Sequence, residues 1–138
     1  MENKFKHLEM IQGVITRMNT NSFMLKGWAV TLVAGIFALA SKETNEFYFL
    51  IAFIPVIIFW GLDAYYLLQE RLYRALYNYV RKLEEKDIDF SMNAKRKKFS
   101  KEKSNTYSSC LGSITILCFY LPLAIITLLV FIISIICN

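Results

Sequence analysis

The chain has 138 residues, 56% of them hydrophobic and 20% charged, and sixteen Lys and Arg against eleven Asp and Glu give a net charge of +5. Soluble domains carry roughly 45 to 50% apolar residues; here the mean hydropathy is +0.39 and the apolar excess sits in uninterrupted runs, which reads as an all-α integral membrane protein. One His (His7) and three Cys (Cys110, Cys118, Cys137) argue against a multi-ligand zinc site, a disulfide framework or a histidine-centred catalytic site.

In chain order, Phe5, Leu8, Ile11, Ile15 and Met18 recur at intervals of three and four with Lys4, Glu9, Gln12 and Arg17 between them. This spacing predicts an amphipathic cytoplasmic helix over 1–21, whose apolar face lies in the membrane interface or packs on a protein partner. His7 is expected on its surface. Asn19-Thr20-Asn21-Ser22 then offers stop and N-cap residues.

A bilayer core needs about 20 apolar residues in a helix, and three stretches meet that: 23–40, 47–68 and 111–137. The first two form a transmembrane hairpin over 22–68, closed by the polar tip Ser41 to Glu46. Ala38-Leu39-Ala40 has the small-residue pattern of a signal-peptidase site, but a leader's apolar region is usually about 7 to 15 residues after a short basic start, so the first span is expected to be retained.

Each hairpin span carries one charge, Lys26 and Asp63. At ~1.5 Å per residue from the tip, the two lie within roughly 3 Å in depth, a gap a Lys side chain can cross. They are read as an intramembrane ion pair, because charges inside spans pair or face an aqueous cavity. A structural pair, an oligomeric pore lining and Lys26 snorkelling alone are all compatible with the spacing. Trp28 and Trp60 also reach similar depth, and with Tyr65 and Tyr66 they predict an inner aromatic belt. Gly27, Thr31, Gly35 and Ala38 give the first span a flat helix-packing face, suited to the second span or to another copy. Pro55 and Pro122 are placed mid-span, where Pro kinks helices.

Beyond the second span, Leu68, Leu72, Leu76, Val80 and Leu83 keep helical spacing. This predicts a cytoplasmic helix extension over 69–86 and one helix of about 40 residues in all, with the amino-terminal helix available to pack on it. From 87 to 109 the pattern stops, giving a basic loop. Its Lys95, Arg96, Lys97, Lys98, Lys101 and Lys103 form a membrane-surface basic patch, each base near an anionic cytoplasmic leaflet contributing about 1 kcal/mol. Phe99 alone is no stacking platform, so nucleic acid is disfavoured as a partner. The third transmembrane helix, 110–138, has no charge, and Cys118 in it is expected to be an apolar filler.

No Gly-rich phosphate loop, HExxH pattern or Ser nucleophile elbow is present. The expectation is a protein that is not an enzyme, with no catalytic residue, no cofactor and no metal. The amphipathic helix, two-span hairpin and helix extension, with the Met18 to Trp28 junction, resemble the SLATT group of small bacterial membrane effectors over roughly residues 3–86. That resemblance implies an anti-phage defence effector that permeabilises the inner membrane by homo-oligomerising, and it carries over no functional residue. The expected function is therefore a homo-oligomeric inner-membrane protein forming or gating a pore or lesion. The alternative is a membrane-anchored adaptor or accessory subunit docking a cytoplasmic signalling protein. A secondary transporter is disfavoured because three spans with one ion pair offer no pair of discontinuous helices.

Eleven bases lie between Arg71 and Lys103 against Lys42 alone in the hairpin tip, which predicts a cytoplasmic amino terminus and an exterior carboxyl end. A membrane-impermeant maleimide applied to cells with a permeabilised outer membrane should, after reductant, label Cys137 and spare Cys110. Labelling of Cys110 would overturn that sidedness.

Overall fold

A computed structural model describes residues 2–41, 46–94 and 105–137. The hairpin tip at 42–45 and the basic patch Lys95, Arg96, Lys97, Lys98, Lys101 and Lys103 lie outside the described residues. Within them the chain is helical and contains no strand: α1 (Glu2–Ala40), a 3-10 segment (Glu46–Ala52), α2 (Phe53–Val80), a 3-10 turn (Glu85–Asp87), α3 (Tyr107–Leu111) and α4 (Ile114–Cys137). Three segments are long and apolar enough to cross a membrane, Glu2–Ala40, Phe49–Val80 and Ile114–Ile136.

Two of the expected boundaries are corrected. The first helix does not stop at residues 19–22 but runs unbroken for 39 residues. No Gly or Pro interrupts it there, and the Thr16 and Thr20 hydroxyls donate back to the Gln12 and Thr16 carbonyls at 3.1 and 3.0 Å. Polar side chains that could have capped a new helix thus hydrogen-bond within the old one. The second helix is shorter than expected, because its α-helical part spans 28 residues and is preceded by seven 3-10 residues. Pro55 explains the start. It falls in the first turn of α2, where a missing N–H costs no intrahelical bond, so it opens the helix rather than kinking a span. Pro122 does lie inside α4.

The chain forms two compact units, Met1–Ser22 with Tyr65–Cys110, and Phe23–Ala64 with Leu111–Asn138. In the first unit, Ile11 and Ile15 of α1 meet Leu72, Leu76 and Val80 of α2, and Ile88 and Ala94 close the cluster. The segment expected to be an open loop is therefore partly core. Its register comes from a turn in which Asp89 Oδ1 accepts the Ser91 N–H and Ser91 Oγ accepts the Asn93 N–H, both at 3.2 Å. Between them Phe90 adopts φ 49°, a left-handed conformation uncommon for a bulky residue. Lys4 Nζ donates to the carbonyls of Arg81, at 3.1 Å, and Leu83, supplying a cation where α2 ends.

His7 is also corrected. It is fully buried, not a surface residue, and the Phe90 ring meets it edge-on at 5.5 Å. Among the described residues neither ring nitrogen has a hydrogen-bond partner. Phe5, expected on the buried face, is exposed.

The second unit buries Ala29, Val33 and Ala40 of α1, Ala52 and Val56 around the start of α2, and Ile116, Tyr120 and Thr127 of α4. Small residues at these contacts let helix backbones approach. α4 packs along the 3-10 segment, with Phe47 and Phe131 ring centroids 6.5 Å apart. The Thr127 hydroxyl donates to the Leu123 carbonyl at 2.8 Å, so it enters an apolar surrounding already satisfied.

Leu76 is 1% exposed, and Leu76→Ala should cost about 2 to 5 kcal/mol. His7→Leu replaces two unsatisfied buried nitrogens at similar volume and should leave stability unchanged or higher. Thermal unfolding in detergent checks both; an equal loss from His7→Leu would show that the imidazole has an essential partner.

Candidate functional site

The structure brings Lys26 and Asp63 together. Lys26 Nζ, on α1, contacts Asp63 Oδ2, on α2, in a hydrogen-bonded ion pair. The Asp63 side chain has no exposure and that of Lys26 only 19%. Lys26 therefore does not snorkel alone, and in this state the carboxylate faces the inside of the unit rather than an open lumen.

Aromatic residues of α4 and α2 enclose the pair. The Lys26 ammonium lies 5.9 Å from the centroid of the Phe119 ring, within cation–π range. Tyr120 is fully buried and stacks on Trp60 with centroids 6.2 Å apart and planes 2° from parallel. Its hydroxyl lies within electrostatic reach of Asp63 without a hydrogen bond of acceptable geometry. The Trp60 indole N–H donates to the Leu111 carbonyl at 3.1 Å, just ahead of α4. Trp28 is 56% exposed. Trp60 thus turns its indole N–H toward the start of α4, whereas Trp28 points outward. Tyr65 and Tyr66 contact each other edge-on at 5.8 Å.

Helical spacing alone does not single out Phe119 and Tyr120. A usable signal existed, since a phenol in an uncharged span needs a polar neighbour when buried, and a Tyr in 111–137 had Asp63 and Lys26 as the available charged groups.

Among the described residues, Gly27, Thr31, Gly35 and Ala38 form an open face of α1 that is not used against the second span, which leaves association with another copy as the remaining use of the two. A Cβ added at Gly27 or Gly35 would meet nothing within 4 Å, and Thr31 and Ala38 are exposed. The Thr31 hydroxyl donates to the Gly27 carbonyl at 2.9 Å. At roughly 100° per residue this face lies about opposite the Ala29, Val33 and Ala40 face. The intrachain contact goes to Ala and Val because that face also carries Lys26, and the ion pair determines which side of α1 turns inward.

Cys118 is exposed on α4 rather than filling the interior, and Cys110 is buried and free. Burial pushes the Cys110 thiol up, against the opposing effect of the Arg71 guanidinium, so it is a protonated, poorly nucleophilic thiol at neutral pH. Protection of Cys110 from maleimide then follows from burial alone, and labelling of Cys137 is the informative half of the sidedness test.

In the first unit, Gln12, Ile15 and Asn19 of α1 and Arg74, Tyr77 and Asn78 of α2 line a cleft of about 270 Å³. Arg74 Nε is held by Glu70 Oε1 at 2.7 Å. The lining of the cleft combines one aliphatic side chain, Ile15, with amide, phenol and guanidinium groups.

No family model, curated protein or solved structure matches this chain. The site must be interpreted from its chemistry. Among the described residues no group of three or more His, Cys, Asp or Glu side chains could hold a metal ion. The arrangement around Asp63 can neutralise, orient and shield a charge pair in an apolar setting, and that is the behaviour of a structural lock or of a gate.

Asp63→Ala leaves Lys26 embedded without its counter-charge, a loss that can cost about 3 to 5 kcal/mol at a buried site, and should lower the yield of folded protein. Lys26→Met with Asp63→Leu should restore much of it. Independent, additive losses in fluorescence size-exclusion profiles would show that the pair contributes no coupling.

Proposed function

We propose that the protein is a bacterial inner-membrane protein that assembles as a homo-oligomer and forms or gates a pore or lesion. The observation that carries this reading is the outward face of α1. Gly27, Thr31, Gly35 and Ala38 leave a flat strip with open space beyond it, in a membrane-spanning helix. Close backbone approach between spans is a main source of association energy in lipid, where apolar burial alone supplies no drive. The Lys26–Asp63 pair adds charge inside the spans, a feature common in membrane conduits.

In this reading the amino terminus, the first unit and the basic segment are cytoplasmic and the carboxyl end is outside. The basic segment adheres to the anionic leaflet and the first unit receives the signal from a cytoplasmic partner. The SLATT-like plan adds the proposal that the setting is antiviral defence. The alternative, an adaptor anchored by inert spans, is favoured by one observation: the cleft lined by Gln12, Ile15, Asn19, Arg74, Tyr77 and Asn78 is suited to a polar side chain of a docking protein.

Dye influx and loss of membrane potential on expression separate the two readings, because an anchored adaptor changes neither. Gly35→Leu fills the flat strip and should reduce chemically crosslinked oligomer several-fold while leaving membrane insertion intact. Permeabilisation should fall with it. An unchanged oligomer would place the interface elsewhere.

A further inference from the structure

We infer that α4 is a built-in gate that holds the Lys26–Asp63 pair closed. The inference rests on the pore reading. A pair that lines a conduit must meet water, yet Asp63 has no exposure. The groups that cover it come from α4: Tyr120, fully buried beside the carboxylate, and Phe119, whose ring flanks the Lys26 ammonium.

Three contacts hold this cover in place. The flat stack of Tyr120 on Trp60 fixes the depth of α4, and the Trp60 indole bond to the Leu111 carbonyl fixes its start. At the far end Phe131 meets Phe47. Elsewhere α4 presents to its surroundings Ile125, Ile126, Leu128, Leu129, Ile132 and Ile133, all exposed. An apolar helix with outward faces of this kind can shift sideways in lipid without exposing a charge of its own. What such a shift does expose is Asp63 and Lys26. The cover is therefore a removable element over an otherwise costly charge pair, and its displacement is the opening step.

The test uses the full-length protein reconstituted in phosphatidylethanolamine and phosphatidylglycerol vesicles containing a small fluorescent dye, with release normalised to incorporated protein. Tyr120→Ala removes both the stack and the phenol and should raise release about tenfold or more, as expected when a closed state loses its main contact. Trp60→Phe keeps a ring for the stack and removes the bond to Leu111, so it should give a smaller rise in a protein that still folds. Tyr120→Phe should stay closed. In a background without the native cysteines, Phe47→Cys with Phe131→Cys joined by a short bifunctional thiol reagent should return the Tyr120→Ala variant to wild-type release. Equal release from wild type, Tyr120→Ala and the cross-linked protein would leave a pore and overturn the gate. No release from any of them would overturn the pore reading, and the gate with it.

Discussion

A carboxylate buried among membrane-spanning helices is the constraint to which the second unit is fitted. Removing one ion from water costs several kcal/mol even after relaxation, so Asp63 can be buried only where a cation reaches it. Lys26 is the partner, and its reach sets both the depth of α1 against α2 and the side of α1 that faces inward. Ala29, Val33 and Ala40 lie on that side and are buried, while Gly27 and Gly35 turn away. The pair thus contributes register more than net stability. The aromatic shell of Phe119, Tyr120 and Trp60 follows from the same constraint, since each ring excludes water from a charge that apolar neighbours could not solvate.

The first unit is organised differently. Its core is an aliphatic seam of Ile11, Ile15, Leu72, Leu76 and Val80 closed by a non-repetitive segment, with one apolar stripe of each helix turned inward. The Arg74–Glu70 pair lies along α2 one turn apart, with Arg74 exposed and Glu70 largely covered. Where α2 ends, successive turn hydrogen bonds from Arg81, Lys82 and Leu83 and the Lys4 ammonium satisfy the terminal carbonyls. The His7–Phe90 contact then helps seat a turn whose left-handed Phe90 would be disfavoured if it stood alone. An unsatisfied imidazole in this position is a cost that an apolar residue would not carry.

The helical character, the three apolar stretches and the meeting of Lys26 with Asp63 were legible because each depends on spacing along one or two helices. Depth counted from the hairpin tip was enough to bring two charges together. Segments without periodicity were harder to read. Ile88, Met92 and Ala94 enter the first core from a coil held by the Asp89 and Ser91 side chains, and no helical pattern marks them. A polar residue near an apolar stripe is normally solvated, and on that ground alone His7 belongs on the surface. Its burial depends on Phe90, more than eighty positions away in the chain. The residues 19–22 illustrate a different limit: the same Thr hydroxyl that caps a helix can bond to the carbonyl four residues back, and local sequence does not decide between them.

The least costly motion of α4 can be argued from where its backbone is already interrupted. α3 ends at Leu111 and α4 begins at Ile114, and the Ser113 carbonyl accepts the N–H groups of Ile116 and Leu117 at 3.0 and 2.9 Å. Rotation at residues 112–113 leaves these first-turn bonds and the Trp60 bond to Leu111 intact, so a swing there gives up side-chain contacts of α4, the Tyr120–Trp60 stack and the Phe131–Phe47 contact, and no backbone hydrogen bond. Pro122 adds a second point of compliance, because it removes one bond from the ladder of α4 and loosens the turn next to Tyr120. In the pore reading, both compliant points flank the aromatic pair over Lys26 and Asp63. A helix hinged on either side of its contact can release that contact without unfolding, which is the mechanical property a gate requires and an inert anchor does not need.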